Sequence, residues 1–376
     1  MNEEEIYYAI ALTCLPHLSQ GIALQLCREL GTAKAVYDHR HDIGSLFPYG
    51  CPPRLAVTLS NWNEALQHAE AEMQFIRKYD IHVLTLTDNA YPARLRECPD
   101  APLVLYFKGM SDLNARYVIN IVGTRHSTAY GQDLIRRFVS QLKERCPQVV
   151  IVSGLAYGID ICAHRQALDC GLETIGVLAH GLEKIYPTQH RDTAMQMTRQ
   201  GGLLTEYMSF AHMDKSNFVR RNRIVAGMTD ATILVESAAK GGGLITAEMA
   251  QGYGRSVFAF PGAVGVKTSE GCNNLIRDNG AGLITSADDF LLAMGWVSDD
   301  QLRQARSGGV ERSLFPELTA EEQTVVQVLD KDGDLQQNIL SVKTNISIGQ
   351  LTAILFQLEM KGVVRPMAGG NFHLVK

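Results

Sequence analysis

The hydrophobic pattern of this chain changes twice along its length. In residues 1–65, apolar side chains recur at the three- and four-residue spacing of amphipathic helices, which predicts an N-terminal helical domain. The predicted helices are Glu4–Leu15, Gly21–Glu29, Ala33–His39 and Arg54–Leu59. A further helical stripe covers Trp62–Tyr79, and the apolar run Val83–Leu86 follows it.

From Tyr117 onward, short runs rich in valine, isoleucine and leucine alternate with amphipathic segments. The predicted strands are Tyr117–Val122, Val149–Val152, Thr174–Leu178, Leu203–Thr205, Ala231–Val235, Ser256–Phe260 and Gly282–Ile284. The predicted helices are Tyr130–Arg145, Ile159–Cys170, Thr188–Gln200, Phe218–Met228, Thr246–Tyr253, Cys272–Asp278 and Ala287–Met294. Continuous apolar strands with a helix in every crossover are typical of a parallel sheet. Residues 66–296 are therefore predicted to form a doubly wound α/β domain.

The pattern changes again near the C-terminus. Residues 297–316 form a polar connector that contains Gly308-Gly309 and ends at Pro316. In residues 317–376 the predicted elements are the helices Ala320–Leu329, Gln336–Val342 and Ile348–Lys361 and the strands Val363–Pro366 and Asn371–Val375. Three helices followed by a hairpin indicate a winged-helix module.

Bulk composition narrows the class of protein. Apolar residues make up 46% and charged residues 20% of the chain, which is typical of a globular protein. No window approaches 18 uncharged apolar residues, and the acidic start Met1–Glu5 does not resemble a signal peptide, so we expect a cytoplasmic protein without membrane contact. The eight cysteines contain no CxxC pair, which favours reduced thiols over disulfides or structural zinc. We expect no metal and no cofactor.

Charge is unevenly distributed around a net value of −5. Residues 1–65 hold 4 basic and 7 acidic side chains, residues 66–314 hold 26 and 26, and residues 315–376 hold 5 and 7. The negative total argues against capture of duplex DNA by charge alone. Any polyanion site is therefore expected in the middle segment.

The basic run Lys215–Arg223 is the most informative local feature. It places four cations and one aromatic ring in nine residues, with no carboxylate. Cations that neutralise phosphates and rings that stack bases are the means by which proteins hold single-stranded nucleic acid. Phe218, Arg221 and Asn222 share one face of the predicted helix, and Lys215 lies just before it. A solvated helix end and a buried Phe218 are the alternative interpretations.

Loops rich in glycine and hydroxyl groups follow three of the predicted strands. Ligands of such sheets bind beyond the carboxyl ends of the strands, where helix N-termini point free N–H groups. The first loop offers Arg125 for a forked contact with phosphate, and Ser153–Asp160 has the composition of a backbone nest for an anion. The predicted phosphate-binding residues are Gly123, Thr124, Gly158, Gly241, Gly242, Gly243 and Thr246. Each loop taken alone also fits an ordinary connection between a strand and a helix.

Taken in order, these motifs resemble one family. The series is IVGTR at 121–125, SGLAYGID at 153–160 with His164, Tyr186-Pro187, FVRRNR at 218–223, GGGLITAE at 241–248, FPG at 260–262 and SEGCNNLI at 269–276. The resemblance extends over residues 90–290. Over these residues the chain is similar to the DNA-processing protein A family, also called the DprA/Smf family.

This resemblance implies an extended Rossmann-like domain that dimerises. An N-terminal helical domain of the SAM or helix-hairpin-helix kind and a C-terminal winged helix are implied on either side of it. The implied activity is not catalytic: such proteins bind incoming single-stranded DNA in natural transformation, protect it and load a RecA-type recombinase. The family's DNA pocket uses the IVGTR arginine, the Ser-Gly turn and Lys-x-x-Phe, which correspond here to Arg125, Ser153, Gly154, Lys215 and Phe218.

The predicted DNA site combines these positions with their polar neighbours. Its residues are Arg125, Ser153, Gly154, Lys215, Phe218, Arg221, Asn222 and Arg223. The four cations would neutralise phosphates, Phe218 would stack a base, and the Ser153 and Gly154 amides would orient one phosphate. This mechanism requires segments that are distant in the chain to converge at one rim of the sheet.

Two segments depart from the family pattern. Leu15–Gly21 lacks the paired glycines with which a helix-hairpin-helix grips the DNA backbone. The predicted helix Ile348–Lys361 holds only one lysine and one glutamate, so we do not expect the winged helix to read a DNA groove.

Two rival functions stay open. The stretch Gly241–Glu248 is similar to the glycine-rich signature of nucleoside-monophosphate phosphoribohydrolases, in which Glu248 would be the catalytic carboxylate and Arg221 a phosphate clamp. Alternatively, the protein is a scaffold whose basic run meets an acidic protein partner. That scaffold would bind no DNA at low salt.

Overall fold

The computed structural model describes residues 3–42, 52–209, 211–296 and 318–374. The chain divides into two compact units. The first unit comprises Met1–Asn114 with Thr174–Ile224, and the second comprises Ala115–Glu173 with Val225–Lys376. The predicted connector 297–316 lies outside the described residues, as does Val375 at the end of the last predicted strand.

Helices and strands follow the predicted order within these residues. The helices are α1 (Glu3–Cys14), α2 (Gln20–Leu30), α3 (Ala33–Asp38), α4 (Pro53–Ser60), α5 (Asn63–Tyr79), α6 (Ala93–Arg96), α7 (Ala129–Arg145), α8 (Ile159–Asp169), α9 (Arg191–Met197), α10 (Lys215–Gly227), α11 (Gly242–Gly252), α12 (Glu270–Arg277), α13 (Ala287–Ala293), α14 (Ala320–Asp332), α15 (Gln337–Thr344) and α16 (Ile348–Met360). The strands are β1 (His82–Thr85), β2 (Val104–Gly109), β3 (Val118–Val122), β4 (Val150–Ser153), β5 (Thr174–Val177), β6 (Gly201–Thr205), β7 (Ala231–Leu234), β8 (Ser256–Ala259), β9 (Gly282–Leu283), β10 (Leu335–Gln336), β11 (Val364–Met367) and β12 (Asn371–Leu374).

The first unit contains strands in the order β1-β2-β6-β5. Strands β5 and β6 are parallel, as predicted, but β2 pairs antiparallel with both β1 and β6. The sequence prediction missed β2 and was wrong in expecting only parallel strands. An antiparallel pair needs no helical crossover, so the alternation of strands and helices gives no sign of it.

A single hydrophobic core joins the N-terminal helices to these strands. Ile10 of α1, Leu24 of α2 and Met73 of α5 lie in the same buried cluster as Val83 and Tyr106. The apolar stripes of the helices therefore cover one face of the β1–β2 pair, rather than packing only against one another.

The second unit contains five parallel strands in the order β4-β3-β7-β8-β9. Adjacent residues of β8 enter different cores: Phe258 packs with α7, α8 and α13, whereas Val257 packs with α11. Because successive side chains of a strand point to opposite faces, helices cover both faces of this sheet. The predicted doubly wound α/β architecture is confirmed here.

The winged-helix module is also confirmed. Helices α14, α15 and α16 pack with the antiparallel sheet β10-β12-β11 around the buried residues Val325, Leu340 and Leu355. Thr319 and Glu322 form a reciprocal capping box that starts α14. Among the described residues, no single helix is long and apolar enough to cross a bilayer, and α15 with α16 reaches that length only as a pair bent by 109°.

Candidate nucleic-acid interface

The basic run Lys215–Arg223 forms most of α10 in the first unit. Asp214 precedes this helix, and its carboxylate accepts a hydrogen bond from the Ser216 amide at 2.7 Å. Hydrogen bonds from Ser216 lower the pKa of Asp214. The carboxylate therefore satisfies an amide of the first turn, and the helix starts with the exposed Lys215.

Two arginines of the run are internal. Arg221 and Arg223 are only 3% and 5% exposed. Arg221 Nη1 donates to the carbonyl of Val177 at the end of β5, and its Nε donates to the Asn222 side-chain oxygen at 3.2 Å. The prediction that Arg221 contacts phosphate at the surface is therefore wrong, and the half-buried Asn222 helps to orient this arginine.

Arg223 has a counter-charge inside the protein. Its Nη2 donates to Glu206 at 2.5 Å and to the side-chain oxygen of Gln20 at 2.9 Å. Gln20 Nε2 in turn donates to the carbonyl of Asp100 at 3.0 Å. Burial raises the pKa of Glu206, and Arg223 opposes that shift. Arg223 thus ties α10 to the N-terminal helices, which corrects its predicted role as a phosphate contact.

The outward side of α10 carries the remaining chemistry. Lys215 and Arg220 are exposed, and Phe218 between them is half-buried. The Phe218 ring meets the exposed Tyr186 ring edge to face, with centroids 5.6 Å apart and an interplanar angle of 66°. Sequence reasoning missed Arg220 and the ring contact of Tyr186. Arg220 was visible as one of the four cations of the basic run, but the pairing of the rings has no local sequence signal.

A buried histidine fixes the loop that carries Tyr186. His180 is 1% exposed, and its Nε2 accepts a hydrogen bond from the Tyr186 amide at 3.2 Å. Its Nδ1 lies 2.8 Å from the Gly181 carbonyl, so the proton belongs on Nδ1. Burial lowers the pKa of His180. A neutral imidazole therefore supports the aromatic pair.

In the second unit, Arg125 is exposed on the loop that follows β3. The neighbouring residue Thr124 accepts a hydrogen bond at its carbonyl from the Ile159 amide at 3.1 Å. Gly158 approaches this loop so closely that a Cβ there would lie 2.6 Å from the carbonyl carbon of Arg125, and its φ is +77°. Only glycine fits such a position, and the loop that presents Arg125 is braced by it.

The predicted anion nest at Ser153 and Gly154 is already filled. Ser153 is fully buried, and its hydroxyl donates to the Ile121 carbonyl at 2.6 Å. The Gly154 amide donates to Asp160 at 3.1 Å. The predicted role of Ser153 and Gly154 in orienting a phosphate is therefore corrected, because a carboxylate of the chain takes the place of the anion. Asp160 braces this loop, because its Oδ2 also accepts a hydrogen bond from the Ala156 amide at 3.4 Å.

The glycine-rich residues serve mainly to pack loops. A Cβ on Gly243 would lie 3.1 Å from the Cα of Gly123, and the Thr124 amide donates to the Glu236 carbonyl at 2.8 Å. Helix α11 starts at Gly242, earlier than predicted, with Gly241 as its N-cap and Thr246 buried within it. Of Gly241, Gly242 and Gly243, only Gly242 has no heavy atom of another residue within 4 Å of the position that a Cβ would take. Phosphate binding by these residues stays a prediction.

Within the described residues, the predicted site residues are distributed over both units. The first unit holds Lys215 and Phe218 together on α10, and the second holds Arg125 on its braced loop. Their predicted convergence at one rim stays a prediction. Across the described ranges, no group of three or more histidine, cysteine, aspartate or glutamate side chains is arranged to hold a metal ion.

Comparison with known proteins places this site in a family. Residues 82–295 match the family model described as DNA recombination-mediator protein A, and residues 312–370 match the DprA winged helix domain. The first match alone covers more than half of the chain, so the chain belongs to the DNA recombination-mediator protein A family, as the motif series predicted.

Individual relatives agree with this assignment. Protein Smf from Synechocystis is 33% identical over 317 residues, which cover 77% of this chain and 79% of the relative. The X-ray structure of DNA processing protein A from Streptococcus pneumoniae has a TM-score of 0.65 at 31% identity and covers 76% of this chain and 97% of that one. DNA processing protein A from Helicobacter pylori, whose structure concerns a single-stranded DNA binding mode, has a TM-score of 0.50 at 28% identity and covers 59% and 97%.

Proposed function

We propose that this protein is a single-stranded DNA-binding recombination mediator that acts without catalysis. Its family membership supports the class of function. The observation that carries the proposal lies on α10, where the exposed Lys215 comes one helical turn before Phe218, whose ring contacts the exposed Tyr186 ring. Cations next to an aromatic ring suit a flexible strand whose phosphates and bases are both accessible.

The binding residues differ from those expected from the sequence alone. Lys215 and Arg125 neutralise phosphates, and Phe218 supported by Tyr186 contacts a base. Arg221 and Arg223 act indirectly, because they hold α10 in place through Val177 and Glu206. Since every base has a face to stack, sequence preference at Phe218 is weak.

Binding of short oligonucleotides tests this function. Fluorescence anisotropy compares single-stranded and duplex DNA with wild type, Lys215→Ala, Arg125→Ala and the double variant. We expect tighter binding of the single strand, weakened in each variant and most in the double one. Arg137→Ala on α7 is the matched control, because Arg137 is exposed but lies more than two helical turns beyond the Arg125 loop. Equal weakening by Arg137→Ala would contradict the assignment.

Further properties of the family extend the proposal. We propose that the protein is cytoplasmic, protects incoming DNA in natural transformation, forms a homodimer through its α/β domain and loads a RecA-type recombinase. We also propose the domain limits 1–65, 66–296 and 317–376, with a linker at 297–316. Light scattering measures the dimer, and recombinase filament formation on DNA coated with single-strand binding protein measures loading.

The phosphoribohydrolase alternative is not favoured. It needs Arg221 as a phosphate clamp, but this guanidinium is buried and donates to the Val177 carbonyl. Release of free base from nucleoside monophosphates is the direct measurement, and we expect none. Binding of DNA at low salt would likewise exclude the scaffold alternative.

A further inference from the structure

A cavity of about 420 Å³ opens in the second unit. Its lining includes Thr128 and Tyr130, which lie three and five residues after Arg125 in the same loop and helix start. The other contributing side chains come from Glu236 after β7 and from the loop that follows β8. The volume is that of a small-ligand site. Neither the phosphate contacts nor the stacking ring described above accounts for it.

The Glu236 carboxylate is the charged group among the polar side chains that line this cavity, which also include Thr128, Thr268 and Ser269. Glu236 is 2% exposed, and its Oε2 accepts the Thr128 amide at 2.9 Å while its Oε1 accepts the Thr128 hydroxyl at 2.6 Å. Thr128 also caps α7, so the positive end of that helix lies beside the carboxylate. A carboxylate offers about four acceptor positions, and two are occupied here. Thr128 thus holds Glu236 in place at the cavity and uses one acceptor position of each carboxylate oxygen.

The walls of the cavity are apolar and fixed. Pro261, Ala263 and Val266 line it on one side, and the Tyr130 hydroxyl donates to the Pro261 carbonyl at 2.7 Å across its rim. Gly262 is clamped in both directions by Asn273: its amide donates to Oδ1 at 3.0 Å, and its carbonyl accepts from Nδ2 at 2.9 Å. The cavity is therefore formed before any ligand enters.

We propose that this cavity binds one nucleobase that carries an amino group, with guanine as the best fit. Apolar walls suit a flat heterocycle, and the Glu236 carboxylate requires N–H donors. Guanine presents its ring N–H and its amino group side by side, which matches the two oxygens of a carboxylate. Thymine presents its N–H between two carbonyl oxygens that would repel the carboxylate. The inference rests on the proposed function, which brings a strand to the nearby Arg125.

The relative affinity of the protein for thymine-containing and guanine-containing single-stranded DNA tests the inference. Anisotropy compares a thymine strand with one of equal length in which isolated guanines, too widely spaced to associate, replace thymines. We expect wild type to prefer the guanine strand by roughly 5- to 100-fold, the discrimination of one bidentate contact to a base. Val266→Trp fills the cavity and should abolish this preference while thymine-strand affinity is kept. Ala263→Trp repeats the test from a second position of the wall.

Val264→Trp is the matched control, because Val264 is 97% exposed, lies in the same loop and does not line the cavity. It should keep the guanine preference. Binding of guanosine monophosphate to wild type but not to Val266→Trp would identify the free nucleotide as a source of the base. The inference is overturned if wild type shows neither a guanine preference nor Val266-dependent binding of that nucleotide. Failure to bind either strand would instead overturn the proposed function.

Discussion

The two sides of α10 place the same kind of residue in opposite environments. Arg220 is exposed, whereas Arg221 and Arg223, one and three positions later, are buried. The buried pair donates to a carbonyl and a carboxylate of the protein. A dense run of cations therefore contains both an exposed arginine and arginines that fix the helix from within the protein. The density of cations in a sequence is the same whether their side chains are exposed or buried, so it does not distinguish the two.

The largest expected effect comes from breaking the buried side. Arg223→Ala removes the ion-pair partner of the Glu206 carboxylate, and removing one partner of a buried pair costs about 3–5 kcal/mol of the free energy of unfolding. Chemical denaturation measures this loss. Lys215→Ala on the same helix is the control, because Lys215 is exposed, and its expected change is within about 0.5 kcal/mol. Equal stability of the two variants would show that Arg223 is not an internal anchor.

A second variant separates charge from packing in this pair. Glu206→Gln in the Arg223→Ala background removes the unpaired carboxylate but keeps the side-chain volume. We expect it to restore part of the lost stability, because an isolated buried charge is the main cost. No recovery would assign the loss to packing of the arginine side chain instead.

The outward side gives the next largest effect, in binding rather than stability. Phe218→Ala should weaken single-strand binding by about 1–3 kcal/mol if the ring stacks one base. Val219→Ala is the matched control, since Val219 is the neighbouring residue and is 45% exposed. Anisotropy titrations of both variants measure the difference. Unchanged affinity in Phe218→Ala would remove the ring from the interface.

The salt dependence of DNA binding distinguishes the exposed Lys215 from the buried Arg221. Each phosphate contact contributes about 0.7 to the slope of log affinity against log salt for a single strand. We expect Lys215→Ala to lose about one such contact, and Arg221→Lys, which retains the buried charge, to change the slope little. Titrations at several salt concentrations provide the slopes. A slope that falls in Arg221→Lys but not in Lys215→Ala would reverse the assignment of the two sides.

The smallest expected effect is a dependence of stability on pH. Burial lowers the pKa of His180, so its contribution is complete above the ordinary histidine value of about 6.5 and is lost as pH falls through the lower value of the folded protein. Protonation removes the acceptor for the Tyr186 amide. Thermal unfolding between neutral and mildly acidic pH measures the loss. His180→Gln should reduce the dependence, and an unchanged dependence would exclude His180 as its source.

The winged helix shows which helices and strands a local sequence pattern can predict. Its three helices and hairpin are confirmed, and α16 carries Glu359 as its single charged residue. The short strand β10 was missed, because two residues give no periodicity. In the first unit β2 was missed for a different reason: it is an antiparallel addition without a helical crossover.

The sequence by itself determined the class of fold, the order of most helices and strands, and the family. Apolar runs, helical stripes and glycine turns are local consequences of burial and backbone geometry, so they are readable without contacts. Only the tertiary structure decided that Arg221 and Arg223 are internal, that Asp160 fills the Gly154 nest, and that Glu236 lines a cavity. These outcomes depend on partners such as Val177 and Thr128, which are distant in the chain. A charged side chain gains its role from the partner that folding brings to it, and its own identity does not specify that partner.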